Sequence, residues 1–298
     1  MSASTPVPDD LLAWVADHLP GVEQAGDVSW PRENSRVWRV AASSMVAFVK
    51  LSPTRADYER EVIGYDFTAR ALARHEAPRL LAADPALLAI LTSSLPGRVV
   101  RGLPLEPAAE HRVHALAGKL LRRWHDRSTA ATEQDRRAVG ASIRGQAQEA
   151  ACCLQHIGAH LNPEQHLLVE AAALDLPELA SQLPLVYLHG DYATRNWLWD
   201  ADTARHGLID FAMARHGLTV EEFVWLYGAV WPTRPDLRST YLAAYGRALS
   251  DVEERVLQLL TTRLGVSYLH TGLTRGRPDL AERGHLILDR MTRQPSQQ

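Results

Sequence analysis

Lysine is almost missing from this 298-residue chain: Lys50 and Lys119 stand against 30 arginines. A bias that strong suggests a GC-rich genome, and it makes a lysine at a defined structural position something to explain. Cysteine is equally scarce. Cys152 and Cys153 are neighbours in a helical pattern and poorly placed to bond each other, so a reducing cytoplasm is expected. No run of about 18 apolar residues occurs, which excludes a membrane-spanning helix. The first residues show no basic stretch followed by an apolar run, so no secretory signal is read. Excess positive charge is lacking too. The formal net charge is −3 and no basic cluster interleaves with aromatics, which speaks against nucleic acid as a partner. Internal repeats and low-complexity segments are absent.

The chain holds 46% hydrophobic and 22% charged residues, an ordinary globular composition whose length suits one large domain or two coupled lobes. The front mixes short strands with one helix. Arg36 to Val40 and Met45 to Leu51 read as strands joined by the turn Ala41 to Ser44. A helix follows from about Ala56 to Ala73, with Tyr58, Val62, Tyr65, Ala69 and Leu72 as its apolar stripe. Leu87 to Thr92 reads as a buried strand that runs into the connector Ser93-Ser94-Leu95-Pro96-Gly97. Beyond it, helical patterns dominate, near 113–125, 142–160, 163–173, 220–230, 237–249 and 252–269. An α+β molecule of two lobes with a cleft between them is the expectation: residues 1–93, a hinge at 94–98, and a helical part over 99–298.

Among those helices stands Leu188-His189-Gly190-Asp191-Tyr192-Ala193-Thr194-Arg195-Asn196-Trp197, followed by Leu208-Ile209-Asp210-Phe211. The pattern reads as strand, loop, strand, turn, strand, and it brings two carboxylates and a carboxamide to one end. Phosphoryl transfer from a nucleotide needs that set. Asp191 is the candidate to orient the attacking hydroxyl and take its proton. Asn196 and Asp210 are candidates to hold Mg²⁺ against the phosphates. Lys50 closes a strand that is apolar on both faces, where it can reach the inner phosphates if a carboxylate steadies it. Of the two glutamates on the following helix, Glu61 lies nearer the apolar stripe than Glu59 and is the better partner. His189 is expected to fix the loop by hydrogen bonding, and Phe211 to pack beneath Asp210. His156 and His160 stand four apart, but no third ligand follows in register, so they read as surface residues.

These residues resemble the aminoglycoside phosphotransferase family, relatives of the protein kinases that phosphorylate small molecules. The family pattern runs His-Gly-Asp, four residues, Asn, then Ile-Asp-Phe about a dozen residues on. The resemblance spans about Val37 to Leu226. It implies a bilobal kinase-like fold, with Lys50 and Glu61 in the places of the strand lysine and helix glutamate. It implies ATP, with GTP open, as the phosphoryl donor, its base lying against backbone groups of Thr92, Ser93 and Leu95. Three departures stand out. The phosphate-covering segment from Ser29 to Ser35 has no glycine, leaving Asn34 and Ser35 as polar candidates there. Arg195 replaces the usual small residue before Asn196 and can either stabilise the transferring phosphoryl group or pair with a carboxylate. No acidic residue follows Asp210-Phe211.

The acceptor is expected to be a small molecule with a hydroxyl. Residues 98–298 hold 23 acidic and 23 basic residues, a neutral balance that suits a polycation poorly. Local acidic patches remain conceivable at Glu221-Glu222 and Asp251 to Glu254. Aromatics near Trp231-Pro232 would suit a sugar or base ring. A sugar-bearing antibiotic with few charges fits, as does a metabolite such as an amino alcohol or sugar. A dead nucleotide-binding regulator fits worse, because Lys50, Asp191, Asn196 and Asp210 are all present.

Overall fold

The computed structural model describes residues 5–29, 36–42 and 45–293. Asn34 and Ser35 lie outside the described residues. The chain forms two compact units, residues 1–104 with 189–215, and residues 105–188 with 216–298. Sequence order puts 189–215 among the helices, yet its packing joins it to the strand-rich unit.

Five strands of the first unit form an antiparallel sheet: β1 (Val22–Asp27), β2 (Arg36–Ala42), β3 (Met45–Leu51), β4 (Leu80–Asp84) and β5 (Ala89–Ser93), in the order β1-β2-β3-β5-β4. The central strand β3 sets Lys50 opposite Val37 on one side and Ile90 on the other. Alternation sends Ala47 and Val49 to one face, with Trp38, Val40, Ala89 and Leu91. Helix α1 (Asp9–His18) closes that face with Leu11 and Val15. The other face carries Lys50 beside helix α2 (Arg55–Ala71), which starts at Thr54, whose hydroxyl accepts the Asp57 N–H at 3.1 Å. Thr54 thereby satisfies one of the orphan donors of the first turn.

The same unit holds a three-stranded sheet, β6 (Arg98–Val99) against β8 (Trp197–Asp200), and β8 against β9 (Arg205–Leu208). The strand before the His189–Asn196 loop, β7 (Leu185–Leu188), pairs with β10 (Arg215–Leu218). One expectation changes here. The last strand stops at Leu208, so Asp210 sits in a loop, in the left-handed region at φ 68°.

The second unit is helical: α3 (Pro107–Asp126), α4 (Glu133–Ile157), α5 (Pro163–Leu174), α6 (Leu176–Ser181), α7 (Val224–Ala229), α8 (Pro235–Tyr245), α9 (Asp251–Thr274) and α10 (Pro278–Thr292). Reciprocal capping boxes at Thr132/Asp135, Asn162/Gln165 and Ser250/Glu253 fix where α4, α5 and α9 begin. Buried Trp124 donates its indole N–H to the Tyr187 carbonyl at 2.8 Å, tying α3 to β7.

Candidate active site

Lys50 lies at the heart of the first unit. Its ammonium donates to Glu61 Oε1 at 2.9 Å and to Asp210 Oδ1 at 3.0 Å. The three residues come from β3, α2 and the loop after β9, separated by 11 and 160 positions. Glu59 points elsewhere and faces Arg55 at 3.8 Å on the exposed side of the helix.

Burial alone would lower the pKa of Lys50, but Asp210 and Glu61 outweigh it and hold the ammonium charged. Glu61 is 1% exposed, and burial pushes its carboxyl up to about 7 in spite of the neighbouring ammonium. Asp210 loses some solvation as well, yet Lys50 keeps it below the usual carboxylate range. The Glu61 Oε2 atom has no hydrogen-bond partner among the described residues. The two carboxyls thus share one ammonium, with Asp210 the one held ionised.

The loop that carries Asp191 and Asn196 begins at Gly190, whose φ of 81° suits glycine. A Cβ there would strike the Met213 carbonyl oxygen. His189 is buried and braces both ends: its Nδ1 accepts the Asp191 N–H at 3.2 Å, and its Nε2 lies 3.1 Å from the Ile209 carbonyl. With Nδ1 accepting, the proton sits on Nε2 and is donated to Ile209. Asn196 donates Nδ2 to the Asp191 carboxylate at 2.8 Å and to its carbonyl at 2.9 Å. The Asn196 carbonyl accepts the Ile209 N–H at 3.0 Å, joining the loop to the residue before Asp210. Arg195 also pairs with the Asp191 carboxylate, its Nε at 3.0 Å from Oδ2.

Phe211 is fully buried, edge-on to Tyr65 at 5.0 Å and to His189 at 5.2 Å. Gly64 allows the contact, since a Cβ there would lie 2.9 Å from the Phe211 backbone oxygen. Arg60 Nε donates to the Ala212 carbonyl at 2.7 Å. Sequence reading missed Gly64 and Arg60; an arginine on a helix reads as a solvated side chain, and nothing in the local pattern marks it otherwise. At the connector, the Ser93 and Ser94 N–H groups are taken by the Arg79 and Val46 carbonyls. Leu95, whose side chain packs against Gly207, has an N–H with no such partner among the described residues.

In the helical unit four of the suspected acidic side chains are engaged by neighbours, while Asp251 is exposed. Glu222 is buried beside His125, and Glu221 accepts the Leu218 N–H. Glu253 pairs with Arg247, and Glu254 with Arg238. Trp231 and Pro232 line a cavity of about 930 Å³ that also carries arginines (Arg238, Arg255) and carboxylates (Asp251, Glu254, Asp289). Among the described residues no group of three or more His, Cys, Asp or Glu could hold a metal by itself, and no helix is long and apolar enough to cross a membrane.

The model of the phosphotransferase enzyme family matches residues 27–259. No curated protein sequence matches significantly. Similar solved structures include a streptomycin–ATP–APH(2")-IIa ternary complex, at 14% identity and TM-score 0.67, covering 95% of this chain and 99% of that one. The GDP complex of aminoglycoside 2'-phosphotransferase-IIIa is 13% identical, with TM-score 0.67 and coverage of 94% and 97%. Spectinomycin phosphotransferase APH(9)-Ia with ADP and spectinomycin is 13% identical, with TM-score 0.64 and coverage of 97% and 99%.

Proposed function

The chain belongs to the phosphotransferase enzyme family, with its two-lobed, kinase-like α+β fold, and from that premise we propose that it moves the terminal phosphoryl group of ATP to a hydroxyl of a small, sugar-bearing antibiotic. The observation that carries this reading is the Lys50 ammonium within 3.0 Å of both Glu61 and Asp210, in the same compact unit as the Asp191–Asn196 pair. The related structures with ATP, ADP or GDP and with streptomycin or spectinomycin support nucleotide donor and antibiotic acceptor alike.

The donor set suits Mg²⁺. Asn196 and Asp210 offer hard oxygens from backbone segments joined by the Ile209 N–H on the Asn196 carbonyl, and Mg²⁺ takes one or two such protein ligands with phosphate oxygens and waters. Bound there, it would neutralise charge on the phosphates. Lys50, steadied by Glu61, would hold the inner phosphates, and the Leu95 N–H would meet the base. Asp191 would accept a hydrogen bond from the acceptor hydroxyl and aim its oxygen at the terminal phosphorus. As the new O–P bond forms and the bond to the leaving nucleoside diphosphate breaks, the hydroxyl proton passes to Asp191. Arg195 and Asn196 already bind this carboxylate, so orientation outweighs basicity in its task.

A phosphorylation assay over a panel of antibiotic and metabolite acceptors, with ATP and GTP, tests the proposal. Transfer to an antibiotic, with raised resistance in a host expressing the protein, is expected. Transfer to an amino alcohol or sugar alone would assign a metabolite kinase. Asp191→Asn should keep fold and nucleotide binding and lower turnover by at least ~10²-fold, the scale of a lost positioned base. Turnover near the original value would remove Asp191 from that role.

A further inference from the structure

Arg60 precedes Glu61 on α2 but serves a different target. Its Nε donates to the Ala212 carbonyl at 2.7 Å, two residues past Asp210. Its other end pairs with Asp57, which is held in turn by Thr54 at the helix start, hydroxyl to carboxylate at 2.7 Å. Asp210 has a left-handed backbone, uncommon outside glycine although aspartate tolerates it better than most residues. Its neighbours hold that conformation. Ile209 is held by His189 and Asn196, Phe211 by Tyr65 and Gly64, and the turn is closed by the Ala214 N–H on the Phe211 carbonyl at 3.1 Å. On the C-terminal side, the charge-assisted bond from Arg60 adds a polar tie between the Asp210 turn and the helix carrying Glu61, beside the packing of Phe211 on Tyr65 and Gly64.

We propose that Arg60 is a positioning residue, fixing the Ala212 carbonyl so that Asp210 keeps the backbone geometry its metal-binding task requires. The proposal rests on reading Asp210 as a metal ligand. A purely structural role fits less well. The side chains of Arg60 and Asp57 are each 32% exposed, and an ion pair so exposed adds little to global stability. The Ala212 bond, by contrast, acts on one turn.

The test compares Arg60→Ala and Arg60→Lys with the unaltered protein by calorimetric nucleotide binding, with Mg²⁺ and with EDTA, and by amide exchange over residues 212–214. Arg60→Ala should weaken Mg²⁺–ATP binding about tenfold, the loss of one charge-assisted hydrogen bond, and leave metal-free binding nearly unchanged. Exchange at 212–214 should quicken. Arg60→Lys, still a cationic donor, should recover most of both. Equal weakening with and without metal, or none, would overturn the proposal, as would unaltered exchange in a folded Arg60→Ala variant. Should the unaltered protein bind no nucleotide at all, the phosphotransfer reading fails, while the exchange measurement still decides whether Arg60 holds the turn.

Discussion

Gly190 is where backbone geometry and chemistry meet most closely. With φ at 81° and the Met213 carbonyl oxygen in the way of any Cβ, alanine there carries the left-handed cost of roughly 1–2 kcal/mol plus a clash. Gly190→Ala should therefore lower the unfolding free energy by at least that much, read as a lower urea midpoint at unchanged slope. A midpoint equal to that of the original chain would show that the loop relaxes freely. The cysteines give a second check. Cys152 is exposed, whereas burial pushes the Cys153 thiol up to about 11. A thiol reagent at neutral pH should label Cys152 alone until the protein is unfolded. At this scale much was readable beforehand. The five-residue step from Asp191 to Asn196 and the lone strand lysine need only chain order. The left-handed Asp210, the grip of Arg60 on Ala212 and the choice of Asp191 as partner of Arg195 depend on contacts between distant segments, which periodicity does not encode.

Helix α2 joins these residues into an element with one task. Glu61, Gly64 and Tyr65 lie one turn apart on the face toward Lys50 and Phe211, so Lys50 and Glu61 should act as a unit. The Lys50→Ala/Glu61→Ala double variant should lose scarcely more activity than either single variant. Additive losses would mean separate roles. Helix α3 offers a pH test. Burial holds the His114 imidazole down at about 4 against an ordinary 6.5, with Glu110 opposing and Arg234, His111 and Asp236 also facing it. The unfolded chain binds a proton from about 6.5 downward and the folded one only near 4. Stability is thus full above pH 6.5 and drains away toward pH 4, by about 3 kcal/mol at 1.36 kcal/mol per tenfold of proton affinity. A His114→Gln variant should flatten that part of the unfolding curve; an unchanged slope would contradict it. Element boundaries were largely evident where an apolar stripe or cap was strong, as in α2, α5 and the start of α9, whose end at Thr274 lies five residues past the expected one. Strand β1, with its sequence Val-Glu-Gln-Ala-Gly-Asp, has almost no apolar alternation and forms because β2 supplies its hydrogen bonds. Helix α1 buries just Leu11 and Val15 and gives a short signal for the same reason.

For the molecule as a whole, charge decides which acceptors are drawn in. Residues 98–298 balance 23 acids with 23 bases, and the first 97 residues, with 12 acids and 9 bases, account for the whole net charge of −3. The structure sharpens this neutrality. Glu222 is buried, Glu221 caps a turn, and Glu253 and Glu254 are matched by Arg247 and Arg238. The cavity at Trp231 is lined by arginines and carboxylates in near balance, Arg238, Arg255, Arg290 and Arg293 with Asp251, Glu254 and Asp289, an environment that offers a polycation little net attraction. Long-range steering fades over about 8 Å at physiological salt, and here little field exists to be screened. The best acceptor should therefore carry at most one or two positive charges, recognised by ring contacts and hydrogen bonds. Its KM should rise little between low salt and about 0.15 M. Efficient turnover of a kanamycin-like polycation, with KM climbing steeply as salt is added, would be the contrary result. It would mean that the carboxylates near the acceptor, Asp251 and Asp289 among the candidates, outweigh the neutral average.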